Sequence, residues 1–214
     1  MKALLVAILL LPAAAYCQPV GVGLKIGAPL SDAFNIANGS TSYTADTHRY
    51  TLGPFVELRL PAHLSIEVDA LYKNFEYRAF SSIGSTIFNS HTTASSWEFP
   101  VLLKYHILPG IPILKPYVEA GPTFSRLSGV RQLFTCSGDL CGLNSSGSSN
   151  QPGDLNHNSD YGLTFGAGLE VKLLLIRISP EIRYTRWGFA NFASLGDVLK
   201  SNQNQAAVLV GVSF

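Results

Sequence analysis

The feature that most constrains the fold of this chain is a strict alternation of apolar and polar residues. It is clearest in SSWEFPVLLKYHI, residues 95–107, where every second residue from Trp97 onward is aliphatic or aromatic and the positions between include Glu98 and Lys104. Successive side chains of a β-strand point to opposite faces, so this pattern predicts a strand with one apolar and one charged face. The fold depends on whether the apolar face packs in a core or contacts lipid.

Eight segments of the chain show this alternation. They are residues 19–27, 49–60, 64–78, 96–107, 115–125, 160–172, 176–187 and 204–214. Antiparallel neighbours joined by short turns at one end and long loops at the other describe an up-and-down barrel with an even number of strands. The predicted long connections, rich in Ser, Asn, Gly and Thr, are residues 28–48, 79–95, 126–159 and 188–203, and the short ones are 61–63, 108–114 and 173–175.

Residues 1–17 have the composition of a secretory signal peptide: Lys2, then an apolar stretch, then small residues. Cleavage after Ala15 or after Cys17 satisfies the small-residue rule, and we favour Cys17. The remaining chain, 18–214, is then predicted to be one barrel domain.

Composition predicts a surface that is poor in charge for a soluble protein. Hydrophobic residues make up 47% of the chain and charged residues 14%, and the net charge is +1. This balance gives no indication of a nucleic-acid partner. No later apolar run approaches the ~18 residues of a spanning helix, so a membrane form of this chain has to span as a closed barrel.

The charges fall on one parity within the apolar-alternating parts of the predicted strands, which end at Tyr72 in segment 64–78 and at Tyr184 in segment 176–187. The apolar parity carries none, and a Lys or Arg facing lipid at the midplane would cost about 2–4 kcal/mol. The charged parity also holds many glycines, which would give long charged side chains room in a narrow lumen but would weaken strands on a solvated face. We predict that the apolar parity faces lipid and that the other parity forms a lumen charge network of Lys25, Glu57, Arg59, Glu67, Asp69, Lys73, Glu98, Lys104, Glu119, Glu170, Lys172, Glu181 and Arg183.

Aromatic residues and prolines refine the barrel prediction. Two belts of rings are expected at the membrane interfaces. Arg59 and Glu67 are a predicted ion pair, diagonal across the 61–63 turn. Because proline removes a ladder hydrogen bond, bulges or strand ends are expected at the four prolines within the strands. The predicted belts are Tyr72, Trp97, Phe124, Tyr161 and Tyr184 at one end and Tyr105 and Phe214 at the other, and the prolines are Pro54, Pro116, Pro122 and Pro180.

The order and spacing of five segments resemble one family. They are VGVGLKIG (20–27), FPVLLKYHI (99–107), KPYVEAGPTF (115–124), GLTFGAGLEVKL (162–173) and the terminal QAAVLVGVSF. The chain resembles the bacterial outer membrane protein β-barrel family of small OmpA/OmpX-like and PorT-like barrels. The resemblance implies the outer membrane of a Gram-negative bacterium, periplasmic termini, and extracellular long loops. Phe214 and the alternating valines before it resemble the signal read by the barrel assembly machinery.

Cys136 and Cys141 lie in TCSGDLCG. In an oxidising compartment they are predicted to form a loop disulfide. Two further ligands for a metal are missing nearby, so neither a metal site nor a cofactor is predicted.

The sequence therefore predicts an all-β fold, an eight-stranded antiparallel up-and-down transmembrane β-barrel. An interior of this size is just wide enough for side chains to fill, which argues against a general porin. We predict a non-enzymatic, monomeric outer-membrane barrel that contacts outer-membrane lipid and lipopolysaccharide and presents its loops, above all 126–159, to an extracellular partner.

Two alternatives remain open at this point. His157 and Ser159 have the H-x-S spacing of lipid A deacylase barrels, with Glu170 as a candidate orienting acid, although its parity is opposite. A water-soluble, lipocalin-like barrel would instead bind an apolar ligand inside.

Overall fold

The computed structural model describes residues 20–31, 34–36, 41–45, 50–107, 113–141, 145–150, 158–173, 175–189 and 199–214. The predicted signal peptide and its cleavage site lie outside these residues, as does His157. Among the described residues, no helix is long and apolar enough to cross a membrane.

The described residues form strands joined by turns, with a single turn of 3₁₀ helix at Asp139–Cys141. The strands are β1 (Gly21–Pro29), β2 (Phe34–Ile36), β3 (Thr41–Ala45), β4 (Thr51–Arg59), β5 (Leu64–Asp69), β6 (Leu71–Ile83), β7 (Thr86–His106), β8 (Leu114–Ser137), β9 (Ser145–Ser149), β10 (Ser159–Leu173), β11 (Ile176–Trp187), β12 (Leu199–Ser201) and β13 (Asn204–Ser213).

Antiparallel pairing closes these strands into a ring. β5 and β6 are two parts of one strand, interrupted at Ala70, and both pair with β4 and with β7. The ring continues through β8, β10, β11 and β13 and closes where β13 pairs with β1 and β1 pairs with β4. The described residues thus form eight antiparallel barrel strands, which confirms the predicted fold class.

The alternation points its apolar face outward. Val56 and Val101 are 44% and 43% exposed, whereas Glu67 is 0% exposed. A water-soluble barrel would show the opposite arrangement, with aliphatic side chains inside. Every barrel strand is paired on both sides around the closed ring, so the barrel can contact hydrocarbon without an open edge.

The prediction that residues 79–95 form a long loop is wrong. β6 and β7 pair without interruption to Ile83 and Thr86, where Gly84, with φ +60°, helps to close a two-residue turn. Residues 126–159 likewise include the far part of β8 and strand β9, which folds back against it. These extensions carry Ser and Thr in place of alternating aliphatics because pairing beyond the bilayer does not require an apolar face.

The far ends of β6, β7 and β8 continue past the ring as a sheet flanked by β3 and β9, here called the projecting sheet. Its base contains a β-bulge, a register shift between Thr93 and Ser95 on β7. Near its tip, Cys136 and Cys141 form the predicted disulfide, with their Cα atoms 5.8 Å apart.

The prediction of bulges at the prolines is wrong for three of them. Pro54, Pro122 and Pro180 lie inside β4, β8 and β11, and the pairing register is the same on both sides of each. Pro116 lies near the beginning of β8 and pairs with Leu169. The strands therefore stay in register around these prolines, without an inserted residue, although each proline lacks an N–H group for the ladder.

A glycine precedes two of these prolines and accommodates the carbonyl that each leaves without a donor. A Cβ on Gly53 would lie 1.9 Å from the oxygen of Ala70, and a Cβ on Gly121 would lie 2.0 Å from the oxygen of Val101. The proline nitrogens opposite carry no hydrogen, so these oxygens can tilt against a glycine, where a side chain would block them.

Replacing either glycine by alanine should therefore destabilise the barrel. We expect Gly53→Ala and Gly121→Ala each to lower the free energy of unfolding by about 1–3 kcal/mol through overpacking. Urea titration, followed by the heat-modifiable migration of the folded barrel on gels, measures the change.

The matched control is Gly211→Ala, whose Cβ would meet its nearest atom, on the Phe55 ring, at 3.4 Å. This variant should unfold close to wild type. Equal stability of all three variants would contradict the role given to the Gly-Pro pairs.

Candidate functional site

The barrel interior is occupied by a buried ionic cluster centred on Arg183 of β11. Its Nε donates to Glu119 at 2.7 Å, Nη1 to Asp69 at 2.5 Å and Nη2 to Glu67 at 2.7 Å. Glu181, two residues earlier on the same strand, lies 2.9 Å from Nε. A single guanidinium thus contacts four carboxylates from three strands, β5, β8 and β11, across the lumen.

Two lysines complete the cluster. The Nζ of Lys25 donates to Glu67 and, at 2.9 Å, to Glu181, and lies 3.4 Å from Asp69. The Nζ of Lys104 donates to the other oxygen of Glu67 at 2.5 Å. Three cations face four carboxylates, so with every group ionised the cluster has a formal charge of −1.

Two aromatic residues of the charged parity line this cluster, and the sequence reasoning missed them. The hydroxyl of Tyr117 donates to Glu181 at 2.7 Å, and the Nζ of Lys104 lies 4.5 Å from the centre of the Tyr117 ring. The Nζ of Lys25 lies 5.0 Å from the centre of the Phe55 ring. Their parity was visible in the sequence, since Tyr117 precedes Glu119 by two residues.

Inward-facing glycines give the cluster its space. A Cβ on Gly166 would lie 2.5 Å from an oxygen of Glu119, and one on Gly168 would lie 2.5 Å from the ring of Tyr117. The large side chains on β8 therefore depend on missing side chains on β10, its paired neighbour.

Toward the projecting sheet, the lumen becomes less charged. Lys73 and Glu98 form a pair at 2.7 Å. The hydroxyls of Thr123, Thr164 and Thr185 form a chain with steps of 2.6 and 2.8 Å. These residues border a cavity of about 30 Å³, which has room for water but not for a larger solute.

A second charged group lies at the short-turn end. Arg59 approaches Glu57 at 3.6 Å and Glu170 at 3.9 Å, and His106 lies 3.9 Å from Glu170. Potential metal-ligand atoms of Glu57, His106 and Glu170 lie within 4.8 Å of one another, a spacing that could hold a metal ion. Arg59 already contacts both carboxylates, so its guanidinium supplies the cation there.

Two details of the predicted network differ from the structure. Arg59 does not pair with Glu67, because the register places Glu57 opposite Glu67 and Arg59 opposite Ser65, nearer the turn. Lys172 lies beyond Glu170 at the end of β10 and is exposed where the lumen opens, with Arg177 opposite. Among the described residues it forms no ion pair.

The geometry does not support the hydrolase alternative. Ser159 is exposed at the beginning of β10, whereas Glu170 is buried near its far end. Eleven residues of extended strand separate them by about 36 Å. Glu170 therefore cannot orient a base at Ser159. A lipocalin-like ligand site is equally unsuited to an interior filled with ion pairs.

A closed antiparallel barrel with aliphatic side chains outside and ion pairs inside defines an integral membrane β-barrel. Residues 15–194 match the sequence model of the family described as "Outer membrane protein beta-barrel domain", and the chain belongs to that family. The family places the protein in the outer membrane of a Gram-negative bacterium.

Three outer-membrane proteins of known structure align with this chain at low identity and low TM-score. Neisserial surface protein A is 15% identical, with 92% of this chain and 96% of that chain covered and a TM-score of 0.38. The N-terminal β-barrel domain of Pseudomonas aeruginosa OprF is 14% identical, with coverages of 92% and 99% and a TM-score of 0.38. Ail of Yersinia pestis is 11% identical, with coverages of 92% and 98% and a TM-score of 0.35. No relative was found among curated proteins.

Breaking the ionic cluster should cost far more than breaking a surface pair. Arg183→Met removes the partner of four buried carboxylates, and we expect a loss of about 3–5 kcal/mol of folding free energy. Arg78, whose side chain is 62% exposed, pairs with Glu76 at 3.3 Å and with no other acid in the described part of the chain. Arg78→Met should therefore cost about 0–1 kcal/mol.

Urea unfolding of both variants in the same detergent compares these costs. Similar midpoints for the two variants would show that the cluster contributes no more than an exposed pair.

Proposed function

We propose that this protein is a non-enzymatic barrel whose lumen is closed and whose contacts are made by its outer surface. The observation that carries this proposal is the ionic cluster across the lumen, with Arg183 contacting four carboxylates. A solute could pass only if these contacts separated, and separating buried charges is costly. The cluster is a structural plug under this proposal, and a proton or ion path is the lesser alternative.

The projecting sheet is the proposed contact surface for an extracellular partner. Large apolar side chains are exposed on it, and contiguous exposed apolar patches mark interaction sites. Phe80 and Leu133 are exposed on one face and Phe88 and Phe134 on the other, at 38–46%.

Two links hold the tip of this sheet in shape. The disulfide between Cys136 and Cys141 closes the end of β8, and the hydroxyl of Ser85 in the β6–β7 turn donates to Asp139 at 2.7 Å. A rigid platform presents a binding surface at lower entropic cost than a mobile loop.

The proposed partners of the barrel itself are outer-membrane lipid, lipopolysaccharide and the barrel assembly machinery. Phe214 is exposed beside β1, where its N–H donates to Val22 at 3.2 Å, so its ring is available to the assembly machinery. We further propose removal of residues 1–17 before insertion and a monomeric barrel in the membrane.

Conductance separates a plugged barrel from a porin. The purified barrel, inserted into a planar bilayer, should give no steady ionic current because the cluster fills the lumen. A stable open channel in the wild-type protein would contradict the proposal.

Acyl release separates the same proposal from the hydrolase alternative. Folded protein incubated with lipid A should liberate no fatty acid, and Ser159→Ala should behave as wild type. Release that is lost in Ser159→Ala would establish an enzyme instead.

A further inference from the structure

The outward face of β8 shows where the hydrocarbon layer ends. Its outward residues from Leu114 to Phe124 are all apolar. These ten residue steps, at about 3.3 Å each and a tilt of about 40°, span about 25 Å, the height of the apolar band of such barrels. Phe124 pairs with Tyr161, and Trp97 lies one outward step further from the short-turn end. The outer membrane–water interface therefore lies at this aromatic level.

An arginine lies at the outer edge of that level. Arg126 is the next outward residue after Phe124 and is exposed, with Trp97 opposite on β7 and Ser159 opposite on β10. Its guanidinium can therefore reach the headgroup layer of the outer leaflet.

The β-bulge brings a second arginine to the same face. Ser95 pairs with Ser128 and Thr93 pairs with Arg131, so two steps on β7 correspond to three on β8. The bulge on β8 contains Gly129, whose φ is +62°. With an uninterrupted alternation Arg131 would point to the inner face, and the bulge re-aims it outward.

Neither arginine has an ionic partner among the described residues, whereas the neighbouring acid is engaged. Glu76 contacts Arg78 at 3.3 Å and His91 at 2.9 Å. The close contacts of His91 and Arg78 hold the pKa of Glu76 below its usual value. The nearby carboxylate therefore stays ionised and bound to other side chains.

We propose that Arg126 and Arg131, with the hydroxyl of Ser128 between them, bind a phosphate of lipid A on the outer wall of the barrel. Guanidinium groups bind phosphate through paired, charge-assisted hydrogen bonds, and the site lies at headgroup height. The inference rests on the proposed contact with lipopolysaccharide and names the residues that make it.

Binding of lipid A with and without its phosphates tests the site. Folded barrel in detergent micelles is titrated with bisphosphorylated and with dephosphorylated lipid A, and bound lipid is counted by native mass spectrometry. Wild type should prefer the phosphorylated form. Arg126→Gln and Arg131→Gln should each weaken that binding about fivefold and the double variant about 25-fold. Excess inorganic phosphate should not displace the lipid.

Lys172→Gln is the matched control, because it removes an exposed cation at the opposite end of the barrel. It should bind lipid A as wild type does. Heat-modifiable migration of every variant verifies folding.

Wild-type affinity in the double variant, or displacement by inorganic phosphate alone, would overturn this site. Either result would leave the proposal of a closed, non-enzymatic barrel intact, because that proposal is contradicted only by a steady ionic current or by acyl release.

Discussion

A strand that crosses a bilayer has to turn every charged side chain away from hydrocarbon, and a small barrel has only its lumen to receive them. That constraint explains the rest of this structure. Charges brought into a narrow, poorly hydrated space have to neutralise one another, and Arg183 and two lysines do so against four carboxylates. The same requirement explains why β10 carries glycines where β8 carries Glu119 and Tyr117.

Closing the lumen in this way moves any binding function to the surface. The wall offers aliphatic side chains to lipid, an aromatic level, and then two arginines that form no ion pair with any residue the structure describes. Further out, β6, β7 and β8 continue as the projecting sheet, whose large apolar side chains are exposed outside the barrel. The bulge near Gly129 lies at the boundary between the barrel wall and the projecting sheet, where the orientation of β8 side chains changes.

The sequence predicted the parts of the fold that lipid imposes. Alternation around Val101 and Glu98 identified the strand, its outward face and the class of barrel. It did not predict the extensions to Ile83 and Ser137, because strands beyond the membrane have no apolar face to reveal them. The ion pairs within the cluster could not be predicted either. The alternation shows which face of the strand a residue lies on, but the stagger between strands sets its height along the barrel axis. Arg59 was thus predicted to pair with Glu67, which the lysines and Arg183 contact instead.

The most direct test of this account is the environment of the outward valines in a bilayer. Spin labels attached at Val56→Cys and Val101→Cys report collisions with oxygen, which concentrates in hydrocarbon, and with a water-soluble nickel chelate. The account predicts strong oxygen broadening and protection from the chelate at both positions. Free access of the chelate, with protection from oxygen, would mean that these side chains face water and that the barrel is turned the other way round.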